Sequence, residues 1–248
     1  MENVLEVRDL EVSYLEESSN VFKNRNRIPV LNGISFDIKK GEILGLVGES
    51  GCGKSTLAKT IVGMIENYKG QINFECKKPL MIFQDPYGSL NPAYNIGWIL
   101  KEPLRIKKGY TASEMDLKAR EMLKRVGLDE KMMKRYPDQL SGGQRQRVCI
   151  AQALILEPEL LILDEPVSAL DVTIQAQIIK LLQEIQEEFN ITMLFISHDL
   201  RIVYQMSDRV MIMQKGKIVE IGTLDEVYFS PKEDYTKILL DAAGIEID

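Results

Sequence analysis

The chain has 248 residues, and its 31 basic against 37 acidic side chains leave a net charge of −6, so no global field favours nucleic acid or an anionic membrane. With 45% apolar and 27% charged residues the composition is that of a soluble globular protein able to bury a sizeable core. Cys52, Cys76 and Cys149 lack C-x-x-C or Cys/His spacing, which argues against a disulfide framework or zinc site and for reduced thiols in cytosol. No stretch approaches the ~18 apolar residues of a spanning helix, so membrane association is expected through a partner.

In chain order, Leu5, Val7, Leu10, Val12 and Tyr14 alternate on either side of Arg8-Asp9, predicting a strand with an irregularity in its middle. Residues 15–29 carry no periodicity and are expected to form a loop; VLNGISFDI follows as another strand, and EILGLV at 42–47 as a buried one. TLAKTIVGMI reads as helical. MIFQDP is a short apolar run that places Gln84 at a strand end. Thr111-Ala-Ser-Glu114 is a capping-box pattern before apolar residues at helical spacing, with Gly127 as the stop, and Ile174, Ile178, Leu181, Leu182, Ile185 and Phe189 mark a second amphipathic helix within 171–189. LLIL at 160–163 and TMLFIS at 192–197 have the continuous apolar character of parallel strands covered on both faces. RVMIM, QKG and KIVEIG read as a hairpin turning near Lys215-Gly216.

Gly48-Glu49-Ser50-Gly51-Cys52-Gly53-Lys54-Ser55-Thr56 satisfies G-x-x-x-x-G-K-[ST] between a strand and a helix. Its glycines let backbone N–H groups face an anion at a helix N-terminus, with Lys54 for the β/γ-phosphates and Ser55 for Mg²⁺. Cys52 stands at a free position of that loop. Asp164-Glu165 ends a buried strand, so Asp164 can fix a metal-bound water and Glu165 is the candidate general base. His198, the chain's one histidine, follows the strand TMLFIS, where ligands of α/β sheets collect. Ser141-Gly142-Gly143-Gln144 has the look of a second anion site, which a chain with a complete phosphate loop does not need for itself.

Taken together these motifs resemble the nucleotide-binding subunits of ABC transporters over essentially the whole chain. LSGGQ at 140–144 matches that family's signature. QDPYGSLNP, YPDQLSGGQRQRV, DEPVSALDVTIQAQI and the ending SPKEDYTKILLDAA are similar to the subfamily that energises uptake of dipeptides, oligopeptides or nickel. The resemblance implies an α/β P-loop NTPase core (1–88 and 158–248) with an N-terminal antiparallel β subdomain, and an inserted α-helical subdomain (89–157) ending in the signature. It also implies ATP and Mg²⁺, a head-to-tail pairing with a second ATPase subunit, a heterodimer being favoured, and two permease subunits at the cytoplasmic face of the plasma membrane. An extracellular binding protein would act indirectly, and no nucleic acid is involved.

In that arrangement Ser141, Gly142, Gly143 and Gln144 serve the partner's ATP. Tyr14 stacks on adenine, Gln84 senses Mg²⁺ and the attacking water, His198 contacts the γ-phosphate, and Asp171 couples the two sites. The aromatics Tyr87, Tyr94 and Trp98 suit a permease-docking groove and equally suit local packing. Two departures from the subfamily stand out: Asp138 precedes the signature where histidine or another residue is frequent, and the sequence reads to Asp248 without the cysteine-rich C-terminal extension of many members, which puts an iron–sulfur or C-terminal regulatory function in doubt. A cytosolic ABC ATPase for cofactor assembly could have this length. A DNA-repair head would need a long coiled coil, a translation factor two cassettes, and a non-hydrolysing scaffold would have lost Glu165 or His198.

Overall fold

The computed structural model describes residues 2–15, 27–77 and 79–245. Two long strands, β1 (Asn3–Leu15) and β2 (Arg27–Lys39), pair antiparallel. The expected loop over 15–29 is thus trimmed at both ends, since Leu15 pairs with Arg27 and Ser13 with Pro29, while residues 16–26 lie outside the described residues. Arg27, Ile28 and Pro29 are exposed, so ladder pairing rather than a buried face holds them, and no alternation announces them. The irregularity at Arg8-Asp9 is a bulge: Asp9 adopts φ 47°, its N–H donates to Ser35 Oγ at 2.8 Å, and both strand registers shift there. Gly70 backs it, because a Cβ there would stand 2.4 Å from the Asp9 carbonyl oxygen.

The chain continues through β3 (Ile43–Val47), α1 (Lys54–Ile61), β4 (Tyr68–Phe74) and β5 (Leu80–Ile82). The helical reading of TLAKTIVGMI overran, because Gly63 turns left-handed at φ 80° just beyond α1. Between β5 and β6 the secondary structure is helical: α2 (Pro86–Ser89), α3 (Ile96–Lys107), α4 (Ala112–Arg125), 3₁₀ turns at Glu130–Lys134 and Pro137–Gln139, and α5 (Gly142–Leu154). Thr111 caps α4 with both halves of the capping box in place. Then come β6 (Leu160–Asp164), α6 (Val172–Phe189), β7 (Thr192–Ile196), α7 (Leu200–Met206), β8 (Arg209–Gln214) and β9 (Lys217–Thr223), followed by α8 (Leu224–Phe229) and α9 (Asp234–Ala242).

β2, β1 and β4 form one sheet; the other has the order β5-β6-β7-β3-β8-β9, parallel except for the β8–β9 hairpin. Lys215 and Gly216 close that hairpin at φ 46° and 78°, as a two-residue turn with both central residues left-handed requires. Strand alternation divides the larger sheet between two cores. Leu44, Leu46, Leu160 and Ile162 face the core shared with the antiparallel sheet and α1, while Leu161, Leu163, Met193 and Phe195 face the helices. With both faces covered, ligands are left the carboxyl ends of the parallel strands, where β3, β6 and β7 deliver their loops.

Candidate active site

β3 runs directly into the loop Gly48–Gly53, and its glycines are sterically required at two places. A Cβ on Gly48 would lie 2.2 Å from the Met213 carbonyl oxygen, and Gly53, at φ 114°, has Leu31 and Met213 side-chain carbons 2.9 Å from where a Cβ would stand. Lys54 is buried, and its Nζ donates to the carbonyls of Gly48 (2.7 Å) and Glu49 (2.9 Å), folding back over the loop it follows. The loop is braced from outside the motif: Gly216 N–H donates to the Cys52 carbonyl at 2.9 Å. Cys52 therefore carries more than a free position implies, through its backbone rather than its thiol, whose pKa burial raises.

Ser55 Oγ donates to Asp164 Oδ1 at 3.2 Å. Asp164 is buried at the end of β6, and burial pushes its carboxyl pKa up, with the Ser55 hydrogen bond opposing and the neighbouring Glu165 adding to the rise. Glu165 stands at φ 49°, a left-handed conformation that costs a non-glycine residue on the order of 1 kcal/mol or more. Its N–H is taken by the Ile196 carbonyl at 2.9 Å, tying the turn to the end of β7. Gln84 Nε2 donates to Glu165 Oε2 at 2.9 Å, and His198 Nδ1 lies 3.3 Å from the same oxygen. Both contacts use Oε2, which leaves Oε1 as the oxygen able to face a water. Glu165, Gln84 and His198 line a 470 Å³ cavity with Lys54, Ser55 and Thr56.

Ser50, Gly51 and Gly53 of the glycine loop line that cavity as well, whereas Tyr14, Ser141–Gln144 and Asp171 do not. Tyr14 is exposed at the end of β1, opposite Ile28. Ser141 is exposed and caps α5: its Oγ accepts from Gln144 N at 3.3 Å while Gln144 Oε1 accepts from Ser141 N at 3.1 Å. S-x-x-Q is a capping-box pattern, so the sequence carried a signal for Gln144 as a helix cap that its reading as an anion site passed over. Gly143 is buried against α6, where a Cβ would come within 2.6 Å of Ile174 Cγ2. Asp171 caps α6 by accepting from Ile174 N at 3.1 Å. Tyr94 stacks on Trp98 with ring centroids 3.7 Å apart, and Arg105 covers Trp98 at 4.9 Å. The side chain of Tyr87 lies outside the described residues.

A glycine loop, a lysine, a serine–aspartate pair and a second carboxylate gathered at the carboxyl ends of a parallel sheet define a P-loop nucleoside triphosphate hydrolase. The family model of the ABC transporter matches residues 31–168. The chain is 46% identical to the oligopeptide transport ATP-binding protein AppF of Bacillus subtilis (strain 168), over 98% of this chain and 79% of that protein. It is 43% identical to the oligopeptide transport ATP-binding protein OppF of Escherichia coli (strain K12), over 98% and 78%. Among solved structures, cbiO1 from Clostridium perfringens, part of the ABC transporter complex cbiONQ, superposes with a TM-score of 0.78 at 30% identity, covering 92% of this chain and 91% of that one. A dimeric ATP-binding cassette, MJ0796, in a post-hydrolysis state bound to ADP and Pi superposes at 0.76 with 26% identity, covering 89% and 98%. The chain belongs to the ABC transporter family, and its fold is that of an ABC ATPase domain that binds and hydrolyses ATP.

Proposed function

We propose that this chain is one of two motor subunits of an importer of the dipeptide, oligopeptide or nickel class, working at the cytoplasmic face of the plasma membrane. The relatives named for oligopeptide and dipeptide transport favour peptides as the solute. One observation carries the reading. Lys54, Ser55, Gln84, Glu165 and His198 line one cavity, while Ser141–Gln144 present the capped N-terminus of α5 and do not line it, which supports reading the cavity as one half of an ATP site. A head-to-tail pairing with a second ATPase subunit brings each Ser141-Gly142-Gly143 to the other's γ-phosphate. There the capped helix supplies N–H groups and a partial positive charge. Tyr14 stacks on adenine and Asp171 links the two half-sites.

Mg²⁺ suits the donors available. Ser55 and Asp164 are hard oxygen ligands in hydrogen-bond contact, and burial makes the Asp164 charge costly until a cation meets it. Among the described residues no group of three or more His, Cys, Asp or Glu side chains could hold a metal. A Mg²⁺ ion would be held by Ser55 and Asp164, with Gln84 nearby. When bound it neutralises phosphate charge. Glu165 takes the proton of the attacking water, a role worth ~10²–10⁴ in rate, and His198 with Gln84 fixes its carboxylate.

Residues 89–157 act as the helical subdomain, with 1–88 and 158–248 as the core. Permease loops dock in the 600 Å³ groove between β5, α2, α3 and α5, lined by Met81, Phe83, Pro103 and Gln152 among others. No helix among the described residues is long and apolar enough to cross a membrane. In this reading the motor acts on pores contributed by two permease chains, with an extracellular binding protein upstream. ATP must prefer the closed dimer for work to be transmitted. The test is a pull-down of tagged Glu165→Gln protein, trapped with ATP, from solubilised membranes of the native organism. Two permeases with or without a second ATPase are expected; soluble partners alone would overturn the transport reading.

A further inference from the structure

The phosphate loop is also touched by a segment far from every nucleotide motif. Glu49 N–H donates to the hydroxyl of Tyr235, the second residue of α9, at 3.4 Å across 186 positions of sequence. Burial raises the pKa of that hydroxyl, so at neutral pH it is an uncharged acceptor. α9 is anchored independently of the loop it reaches. Thr236 and Leu240 are fully buried, and the N–H groups of Lys232 and Glu233, just before the helix, donate to the Glu220 carboxylate of β9 at 2.8 and 3.3 Å. Just beyond its other end the Ala243 carbonyl accepts from Arg201 Nη2 at 2.8 Å, and Arg201 sits on α7, which follows the His198 loop. α9 is therefore a bar fixed at both ends, one end against the loop that cradles phosphate and the other against the helix behind His198.

We propose that Tyr235 is a positioning residue for ATP binding: by accepting the Glu49 N–H it holds the exit of β3 in the conformation that aims the glycine loop at phosphate. Glu49 is exposed, so without this acceptor its amide turns to water and the loop samples other conformations. Apparent affinity then falls by the fraction of molecules still competent, whereas the bound complex, in which phosphate itself orders the loop, reacts as before. The signature of this role is a raised KM at unchanged kcat. A single neutral hydrogen bond of this length corresponds to roughly a two- to fivefold change in affinity.

The inference rests on the ATPase reading, and the experiment separates the two. ATP affinity is measured by calorimetry on the full chain, native and Tyr235→Phe, with hydrogen exchange of the peptide spanning 47–54 and with Lys237→Ala on the same helix as control. The expected result is two- to fivefold weaker ATP binding and faster exchange at Glu49 in Tyr235→Phe alone, with KM raised and kcat kept in the assembled ATPase. Native-like affinity in Tyr235→Phe overturns the role of Tyr235 and leaves the ATPase reading standing. Failure of the native chain to bind ATP overturns both. Should Tyr235→Phe not fold, the native chain still decides, because an unprotected Glu49 amide in it refutes the hydrogen bond and the proposal with it.

Discussion

Replacing Glu165 with glutamine changes one atom in a site whose other contacts can persist. The side chain is 17% exposed and accepts from Gln84 Nε2 at 2.9 Å, a contact the amide oxygen of glutamine can reproduce. Backbone conformation and volume stay the same, so stability should move by less than about 1 kcal/mol. What disappears is the basicity of Oε1. If Glu165 is the general base, kcat should fall by ~10²–10⁴, or about 3–5 kcal/mol of transition-state stabilisation at 1.36 kcal/mol per decade. ATP affinity should be kept within a few-fold, because Lys54 and the glycine loop are untouched. The assay is steady-state phosphate release at saturating ATP and Mg²⁺ beside equilibrium ATP binding on the same preparation. Turnover within tenfold of native would refute the assignment. Parallel loss of binding and turnover would mean instead that Glu165 helps shape the site through its left-handed turn.

Asp164→Asn should raise the melting temperature of the nucleotide-free protein at pH 7 while abolishing Mg²⁺-dependent turnover. Burial lifts the folded-state pKa of Asp164 above the ordinary 3.8, so the folded state holds that proton more tightly than the unfolded one. Stability is therefore gained as pH falls through the raised value toward 3.8, and the penalty is complete above it; a lower melting temperature for the asparagine variant refutes this. Gly48→Ala should cost about 1–3 kcal/mol, because the added Cβ meets a backbone carbonyl at 2.2 Å. Calorimetry should then read a fall of roughly 3–10 °C with lost ATP binding, and an unchanged melting temperature would show that β8 yields. The Cys149 thiol is pushed up to about 12, chiefly by burial and secondarily by Asp85. Iodoacetamide at neutral pH should therefore modify the half-buried Cys76 and spare Cys149, as read by mass spectrometry, and equal labelling would contradict the burial.

The elements legible in the sequence are those whose pattern is set by burial or by a cap. β3, β6 and β7 are continuous apolar runs because both faces are covered, and α4 and α6 carry Thr111 and Asp171 at their starts. β4 escaped because its residues are largely exposed or half-buried, so it has neither an apolar run nor a buried stripe. α3 is interrupted in sequence by Pro103, which a tertiary setting tolerates inside the helix. At the site, the P-loop, Asp164, Glu165 and His198 were readable because each terminates a buried strand. The contacts of Gly216 and Tyr235 with the loop were not, since both join residues more than 160 positions apart, each to a backbone group of the loop that leaves no compositional trace. The capping role of Gln144 was readable and was masked by the louder glycine pair beside it.

That cap supplies the sharpest separation of structure from function in the signature. Among the first N–H groups of α5, Ser141 Oγ takes that of Gln144, and the Arg145 N–H reaches the Ser141 carbonyl at 2.9 Å. The groups of Gly142 and Gly143 are those a helix start leaves without an intrahelical partner, and they are the ones an anion can use. Ser141→Ala removes the cap and should cost ~1 kcal/mol of stability. Ser141→Asp keeps an equally good cap, so stability should match native, yet it sets a negative charge where a partner's γ-phosphate is proposed to arrive. ATP binding by the single chain should be native in both variants, because neither touches the Lys54 cavity. Turnover in the assembled ATPase should survive in part for alanine and be lost for aspartate. A stable, fully active Ser141→Asp enzyme would refute the placement of the signature against the partner's nucleotide, since it would set two anions against the same helix N-terminus. The order of the two variants is what discriminates: a role confined to capping ranks alanine as the more harmful change, and a role toward phosphate ranks aspartate.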